Sequence, residues 1–480
     1  METSTKKPKI AIRGAGIWGL SCAYYQQKKA AGKMDLVVLE AGERAGGMIQ
    51  TFAFSNHRME AGPNGFLDSN PSTLELCKEV GLEEELLPAS ASAARNRFLY
   101  LNNRLHKLPS TLLGMAFSPV LSFHGKLRIL TEGFRFKRAI PEEESIADFF
   151  RARVGEEVAN SLGDAFVTGI WGGNFEDLSL PSCFPKWRQM EIEHGSILRG
   201  LKARRAAKAR SASKAGLPKP LPPRMWSLKK GLGQLIDTLA GRLGSSLRTR
   251  NRVSALQPLG GQPGTGWLVF HEGNDRPETF DQVILACPAY EQARLLAPLY
   301  PALAESLSEI QTTPIAVVGL MFPDSQLTGD AVKPDGFGYL TPQRDSRPVL
   351  GVQWCSAIFP GDRVPPGWQL WRALVGGRKQ KQLLDLDDKA LTKVVLNELK
   401  TVGNWNLKPE SVHIFRWKWA IPQYTLGHTK RVQAIVEAQK CLHGLICAGS
   451  SMGGVAINDC VEQSANLAGR LTEGLAKISG

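Results

Sequence analysis

The sequence predicts an α/β protein, α+β overall, assembled from strand-turn-helix pieces that lie far apart along the chain. Three observations lead there. An apolar run from Lys9 to Arg13 enters Gly14-Ala15-Gly16-Ile17-Trp18-Gly19 and continues into Leu20, Ala23, Tyr24 and Gln27 at helical spacing. A second run, Asp35 to Leu39, follows and ends at Glu40. Two later runs, Phe280 to Pro288 and Gly444 to Cys447, read as strands, the latter ahead of a glycine loop and a helix start at Gly449 to Asp459.

The first unit carries a Rossmann-like, dinucleotide-binding reading. Gly14 permits a tight turn, Gly16 lets a pyrophosphate approach the backbone, and Gly19 lets the helix pack on the strand. Phosphates then sit at the positive helix end, and Glu40 accepts hydrogen bonds from a ribose diol. The glycine pattern alone says little, because such turns are common between strand and helix. Here strands flank it on both sides, and an acid at position 40 argues against a ribose 2′-phosphate. Trp18 is large for its place and packs either on the cofactor or against a neighbouring loop. Met225 to Leu235 opens a second βα portion, with a helix to about Leu243, ahead of Gly244, and a strand around Val253 to Leu256.

The chain has 480 residues, enough for two or three domains, and a net charge of +14 that is unevenly spread. Arg95 to Arg138 holds nine Lys or Arg against one acid, Glu132, and Arg199 to Lys230 holds eleven against none. These windows exceed the whole excess, so the remainder is net acidic. Eight cysteines show no C-x-x-C and no metal-ligand spacing, which predicts free thiols in a reducing compartment and no metal. Met1 to Lys9 is polar and leaves no room for a signal peptide before the first strand. The longest charge-free run in the first basic window, Leu108 to Gly125, contains two prolines and makes a poor spanning helix.

Residues 95–222 form an insertion in which basic side chains alternate with Phe98, Leu99, Leu112, Leu113, Met115, Phe117, Val120, Leu121 and Phe123. Two readings stand: monotopic contact with anionic lipid, or a basic face beside a local core. Arg199 to Pro223 reads as a mobile basic loop. No nucleic-acid recognition module or stacking aromatics accompany it, so no nucleic-acid partner is expected. No Ser-His-Asp or carboxylate dyad emerges, His428 reads as structural, and no catalytic residue is assigned.

Beyond Glu40, Ala41 to Gly47 presents Arg44, Gly46 and Gly47 in an R-x-G-G arrangement, which resembles flavoproteins of the amine-oxidase type. Glu60-Ala61-Gly62-Pro63-Asn64-Gly65-Phe66 resembles the segment that runs along the flavin in that group. Leu162 to Leu180, Glu193-His194-Gly195-Ser196, Arg416-Trp417 to His428, and Val455 to Cys460 together resemble the oxygen-dependent protoporphyrinogen oxidases, in order and over nearly the whole chain. The resemblance implies a Rossmann-like FAD domain of the p-hydroxybenzoate hydroxylase/amine-oxidase type, a mixed-sheet substrate domain and a helical membrane-binding insertion. The corresponding boundaries are 1–94, 223–297 and 437–480 for FAD, 95–222 for the insertion and 298–436 for substrate.

It further implies noncovalent FAD and six-electron oxidation of protoporphyrinogen IX to protoporphyrin IX, with molecular oxygen reoxidising the flavin and peroxide released. FAD would be held by Gly14, Gly16, Ile17, Trp18, Gly19, Glu40, Ala41, Arg44, Gly46, Gly47, Gly62, Pro63, Asn64, Gly65, Val253, Gly449, Ser450, Gly454, Val455, Ala456 and Ile457. Arg97 matches the arginine that pairs with a substrate propionate, Gly169 the glycine whose backbone faces the macrocycle, and Trp354 a ring-stacking phenylalanine; Phe337 joins the substrate set. The implied setting is peripheral, on the cytoplasmic side of a bacterial inner membrane, in the cytoplasm, or on an organellar membrane, with ferrochelatase as a partner and a monomer or homodimer as the assembly. Rival readings are a coproporphyrinogen III oxidase, an FAD-dependent amine oxidase, and a flavin-stabilised membrane scaffold or basic nucleic-acid binder without turnover.

Overall fold

The structure, a computed structural model, describes residues 7–109, 114, 117–134, 138–214, 223–261, 264–328 and 331–478. Leu112, Leu113 and Met115 of the expected lipid-facing set, and residues 215–222 of the expected basic loop, lie outside the described residues.

Five parallel strands form one sheet in the order Leu247–Arg248, Asp35–Leu39, Lys9–Arg13, Gln282–Leu285, Leu445–Cys447. The strands are short and buried on both faces, as the unbroken apolar runs require. All three FAD segments of the sequence reading contribute to this sheet. Helices Ile17–Ala30 and Ile457–Ile478 pack side by side on one face, with Ser21 Oγ 2.7 Å from Ser464 Oγ. Further along, Lys29 Nζ lies 2.9 Å from where a Cβ on Gly469 would stand, so the two helices run parallel and begin at the same end.

A second, seven-stranded sheet runs Ser411–Pro422, Thr312–Pro323, Trp368–Gly376, Val349–Trp354, Gly338–Leu340, Phe98–Leu101, Arg104–Lys107. It is mixed: Gly338–Leu340 pairs with Phe98–Leu101 in parallel and every other neighbour is antiparallel. Its last two strands come from the 95–222 segment, so the first stretch of that segment belongs to this sheet. The remainder is helical, with Phe123–Thr131, Ile146–Val154, Asp164–Trp171, Pro185–His194 and Ile197–Lys214 as its main elements.

The last of these corrects the basic-loop expectation. Residues 199–214 continue a helix, because Ala, Lys and Arg are strong helix formers and Glu132 caps its start. Glu132 accepts from Ile197 N and Leu198 N at 3.0 Å each and from Ser196 Oγ at 2.6 Å.

Candidate active site

The glycine turn behaves as its spacing requires. Gly14 has φ +107°, its N–H donates to Leu39 O at 2.9 Å, and a Cβ there would meet the Ala286 backbone at 3.1 Å. A Cβ on Gly19 would lie 1.9 Å from Gly14 O, whereas one on Gly16 would meet nothing within 4 Å. Gly16 therefore leaves free backbone at the N-cap of helix Ile17–Ala30, where a pyrophosphate fits. Ile17 and Trp18 are buried; Trp18 packs in the core beneath this helix, with Nε1 unpartnered.

Glu40 is held beside the turn. Its Oε2 accepts from Ala15 N at 2.9 Å and its Oε1 from Gly42 N at 2.8 Å, which leaves lone pairs on both oxygens for hydroxyl donors. Gly46 N donates to Ala15 O at 2.7 Å, and a Cβ on Gly47 would lie 3.4 Å from Gly16 Cα, so the paired glycines lie against the turn. Ala41 is half-buried and Arg44 exposed. Arg250 N and Asn251 N donate to Gly42 O and Glu40 O at 2.8 Å, bringing buried Val253 to the same neighbourhood.

Gly62 follows in space: its Cβ would stand 1.9 Å from Met48 O, directly after Gly46 and Gly47. Asn64 is buried with Nδ2 unpartnered, Pro63 is half-buried, and Gly65 presses on Trp226 O. From the other side, Gly449 (φ +100°) packs on Ala286, and Ser450 O accepts from Tyr424 OH. Gly454 (φ +71°), Val455 and Ala456 lead into helix Ile457–Ile478. Two parallel helix N-termini thus open onto one region lined by glycine backbone. This fits an elongated dinucleotide cofactor: Gly16 offers bare backbone and Asn64 an orphaned donor.

Arg97 and Phe337 meet at one corner of the seven-stranded sheet, and Gly169 lies against Leu340, three residues beyond Phe337. The Arg97 guanidinium carbon lies 5.3 Å from the Phe337 ring centre. Desolvation pulls this guanidinium below its ordinary value, and no carboxylate among the described residues pairs with it. Phe337 N donates to Asn96 O at 2.8 Å, and a Cβ on Gly169 would lie 2.8 Å from Leu340 Cδ1 on the following strand. Phe166 and Ile170, on the same helix face as Gly169, are exposed apolar side chains.

Trp354 departs from its expected place. Its N–H donates to Phe337 O at 3.0 Å, but the indole is 0% exposed and packs among Trp371, Trp405 and Tyr339. The alternation of a strand sends it into the core, so in this structure it is not a wall that a substrate ring can stack on. His428 is buried with both ring nitrogens unpartnered, stacks on Tyr424 at 4.0 Å and is pushed down to about 4 by desolvation, with Arg431 contributing.

Two contacts from the seven-stranded sheet were not anticipated. Trp417 Nε1 donates to Ala61 O at 2.7 Å, and Arg372 Nη2 donates to Gly62 O, so adjacent carbonyls of the Glu60–Phe66 segment are gripped together. The available signal was Arg372 itself, a lone charge in the apolar run Trp368 to Gly376.

The chain matches the family model of flavin containing amine oxidoreductases over residues 19–472 and belongs to that family. It is an FAD-dependent oxidoreductase. Among curated relatives it is 34% identical to protoporphyrinogen oxidase of Bos taurus, over 96% of this chain and 98% of that one. It is 29% identical to coproporphyrinogen III oxidase of Bacillus subtilis (strain 168), over 96% and 97%. A crystal structure provisionally described as a protoporphyrinogen oxidase, from Exiguobacterium sp. 255-15, shares the fold at TM-score 0.80 and 23% identity, covering 98% of this chain and 99% of that one.

Proposed function

We propose that this chain oxidises protoporphyrinogen IX to protoporphyrin IX, with oxygen as electron acceptor and hydrogen peroxide released. The observation that carries the reading is the Arg97 guanidinium, stacked on Phe337 and unpaired with any carboxylate among the described residues, on the sheet whose Leu340 packs against the helix that exposes Phe166 and Ile170. A large, greasy macrocycle bearing propionates is suited by a cation near apolar side chains. Noncovalently bound FAD would supply the two-electron oxidising capacity, used three times per substrate molecule. The chain's own residues bind and orient: Gly14, Gly16, Gly19 and Glu40 hold the nucleotide end, and Gly62 to Gly65 with Gly449 to Ile457 line the ring end. Arg97 fixes a propionate so that a reacting C–H is presented at one distance and angle.

Coproporphyrinogen III is the second reading, favoured by the similarity to the Bacillus subtilis enzyme. The purified FAD-loaded protein should produce porphyrin fluorescence and peroxide from protoporphyrinogen, with a higher kcat/KM than for coproporphyrinogen III. Product no faster than autoxidation overturns the oxidase reading, and a reversed ratio overturns the substrate.

We also propose peripheral membrane attachment. Phe117 and Phe134 are 82% and 87% exposed, and Phe123, Leu127 and Leu130 line one exposed face of helix Phe123–Thr131 beside Lys126 and Arg128. No helix of the described residues is long and apolar enough to cross a membrane. The surface would be the cytoplasmic face in a bacterium or an organellar membrane in a eukaryote, where ferrochelatase could receive the product directly. Sedimentation with anionic liposomes should fall on Phe123→Ser with Phe134→Ser; unchanged binding removes this face from consideration.

A further inference from the structure

Arg372 sits mid-strand in Trp368–Gly376 and is 1% exposed. Its Nη1 donates to Gln353 Oε1 on the neighbouring strand at 2.9 Å, its Nη2 donates to Gly62 O, and its Nε has no hydrogen-bond partner among the described residues. None of these acceptors is a carboxylate. The acidic groups that its charge reaches are the buried Cys355 thiol and the carboxyl group of Glu60, also 1% exposed, whose oxygens already accept from Thr51 Oγ1 at 2.7 Å and Leu232 N at 2.8 Å. Glu60 faces Arg363, a second guanidinium 1% exposed, more strongly.

Two buried guanidiniums therefore share one buried carboxyl group. Desolvation pushes Glu60 up, towards the neutral form, and pulls Arg372 and Arg363 down. A guanidinium nevertheless stays protonated near neutrality. Asp362 also faces Arg363, whereas no carboxylate among the described residues hydrogen-bonds Arg372, an arrangement that burial disfavours unless something else answers it.

Arg372 directs this charge at Gly62, in the segment that continues from the glycine turn along the cofactor region. Two-electron reduction of a flavin with uptake of one proton leaves it one negative charge richer, and in a low-dielectric site a nearby fixed cation favours that state. We propose that Arg372 is a positioning and charge-tuning residue for the flavin, holding the Gly62 carbonyl while its unneutralised charge raises the flavin's reduction potential. This rests on the cofactor placement proposed above.

The full-length, FAD-loaded protein tests it through the flavin midpoint potential, measured by dye-equilibrated reductive titration. Gln353→Glu gives Arg372 an ion-pair partner without removing it. The equilibrium for two-electron reduction should then fall about tenfold or more, which is about 30 mV, with no loss of thermal stability. Arg372→Met should lower the potential likewise, and Arg372→Lys should keep it near wild type. An unchanged potential in flavin-bound Gln353→Glu overturns the proposal, whether or not Arg372→Met folds. A wild-type chain that takes up no FAD overturns the cofactor reading instead, so the two failures are distinguishable.

Discussion

Two groups of buried and half-buried arginines in this molecule are treated differently. In the helical insertion Arg138, Arg153 and Arg188 surround Glu144 and Glu191: Glu144 accepts from Arg138 at 2.6 and 2.7 Å and from Arg188 at 2.7 Å. Glu191 accepts from Arg138 Nε at 2.8 Å, Arg153 Nε at 2.9 Å and Arg188 Nη1 at 2.7 Å, and Glu132 lies 4.0 Å from Arg153. Three guanidiniums meet three carboxyl groups. Beside the candidate site, Arg363 and Arg372 share Glu60, with Asp362 also facing Arg363 and the Cys355 thiol beside Arg372, and no carboxylate among the described residues hydrogen-bonds Arg372. Where charge joins helices it is neutralised by hydrogen-bonded carboxylates; at the candidate site Arg372 instead spends its hydrogen bonds on an amide and a backbone carbonyl.

The contrast breaks most visibly at its saturated end. Glu191→Gln leaves three arginines short of a shared acceptor and should destabilise the insertion by about 3–5 kcal/mol, the range for breaking a buried ion cluster. Calorimetric melting of the variant measures this, and a loss below about 1 kcal/mol would show that the cluster is not cooperative. A smaller effect is expected at the other unpaired cation. Arg97→Ala should raise KM for the porphyrinogen about tenfold, equivalent to ~1.4 kcal/mol and near the lower limit for a hydrogen bond to a charged group, while the flavin absorbance of the purified protein stays the same. Flavin loss with unchanged KM would move Arg97 out of the substrate corner.

Much of this difference could not be read from residue order. The glycine turn was legible because each glycine answers a local demand: Gly14 needs positive φ, Gly19 has no room for a Cβ, and Gly16 has only empty space around it. A mixed sheet and a helical stretch within 95–222 were likewise expected. Trp354 was misjudged because a motif fixes a position along a strand but not which face its neighbours leave open. Residues 199–214 were read as part of a loop because the cap of their helix, Glu132, lies far back in sequence. Arg372 went unnoticed because its meaning depends on carbonyls supplied by Gly62 and a side chain from Gln353, neither close to it in the chain.

The smallest effect concerns a neutral pair that joins the same two parts of the molecule. His57, in the hairpin of strands Thr51–Ala53 and Arg58–Glu60, places Nε2 3.0 Å from Nε2 of His413 on the edge strand Ser411–Pro422, with Phe54 stacked on both rings. Its Nδ1 lies 3.0 Å from Asn56 Oδ1, so a donating Nδ1–H leaves Nε2 as the acceptor for His413. A second proton on His57 would set two donors against each other. Desolvation, with His413 adding to it, pushes His57 down to about 4. Because the unfolded chain takes up that proton near the ordinary histidine value and the fold excludes it, this contribution is complete above about pH 6.5 and shrinks as pH falls towards 4. The expected loss is about 1 kcal/mol between pH 6.5 and 5, seen as a falling Tm that flattens in His57→Gln. If the variant's Tm tracks the wild type across that window, the pair does not sense pH, and the acid sensitivity of the domain junction lies in its carboxylates.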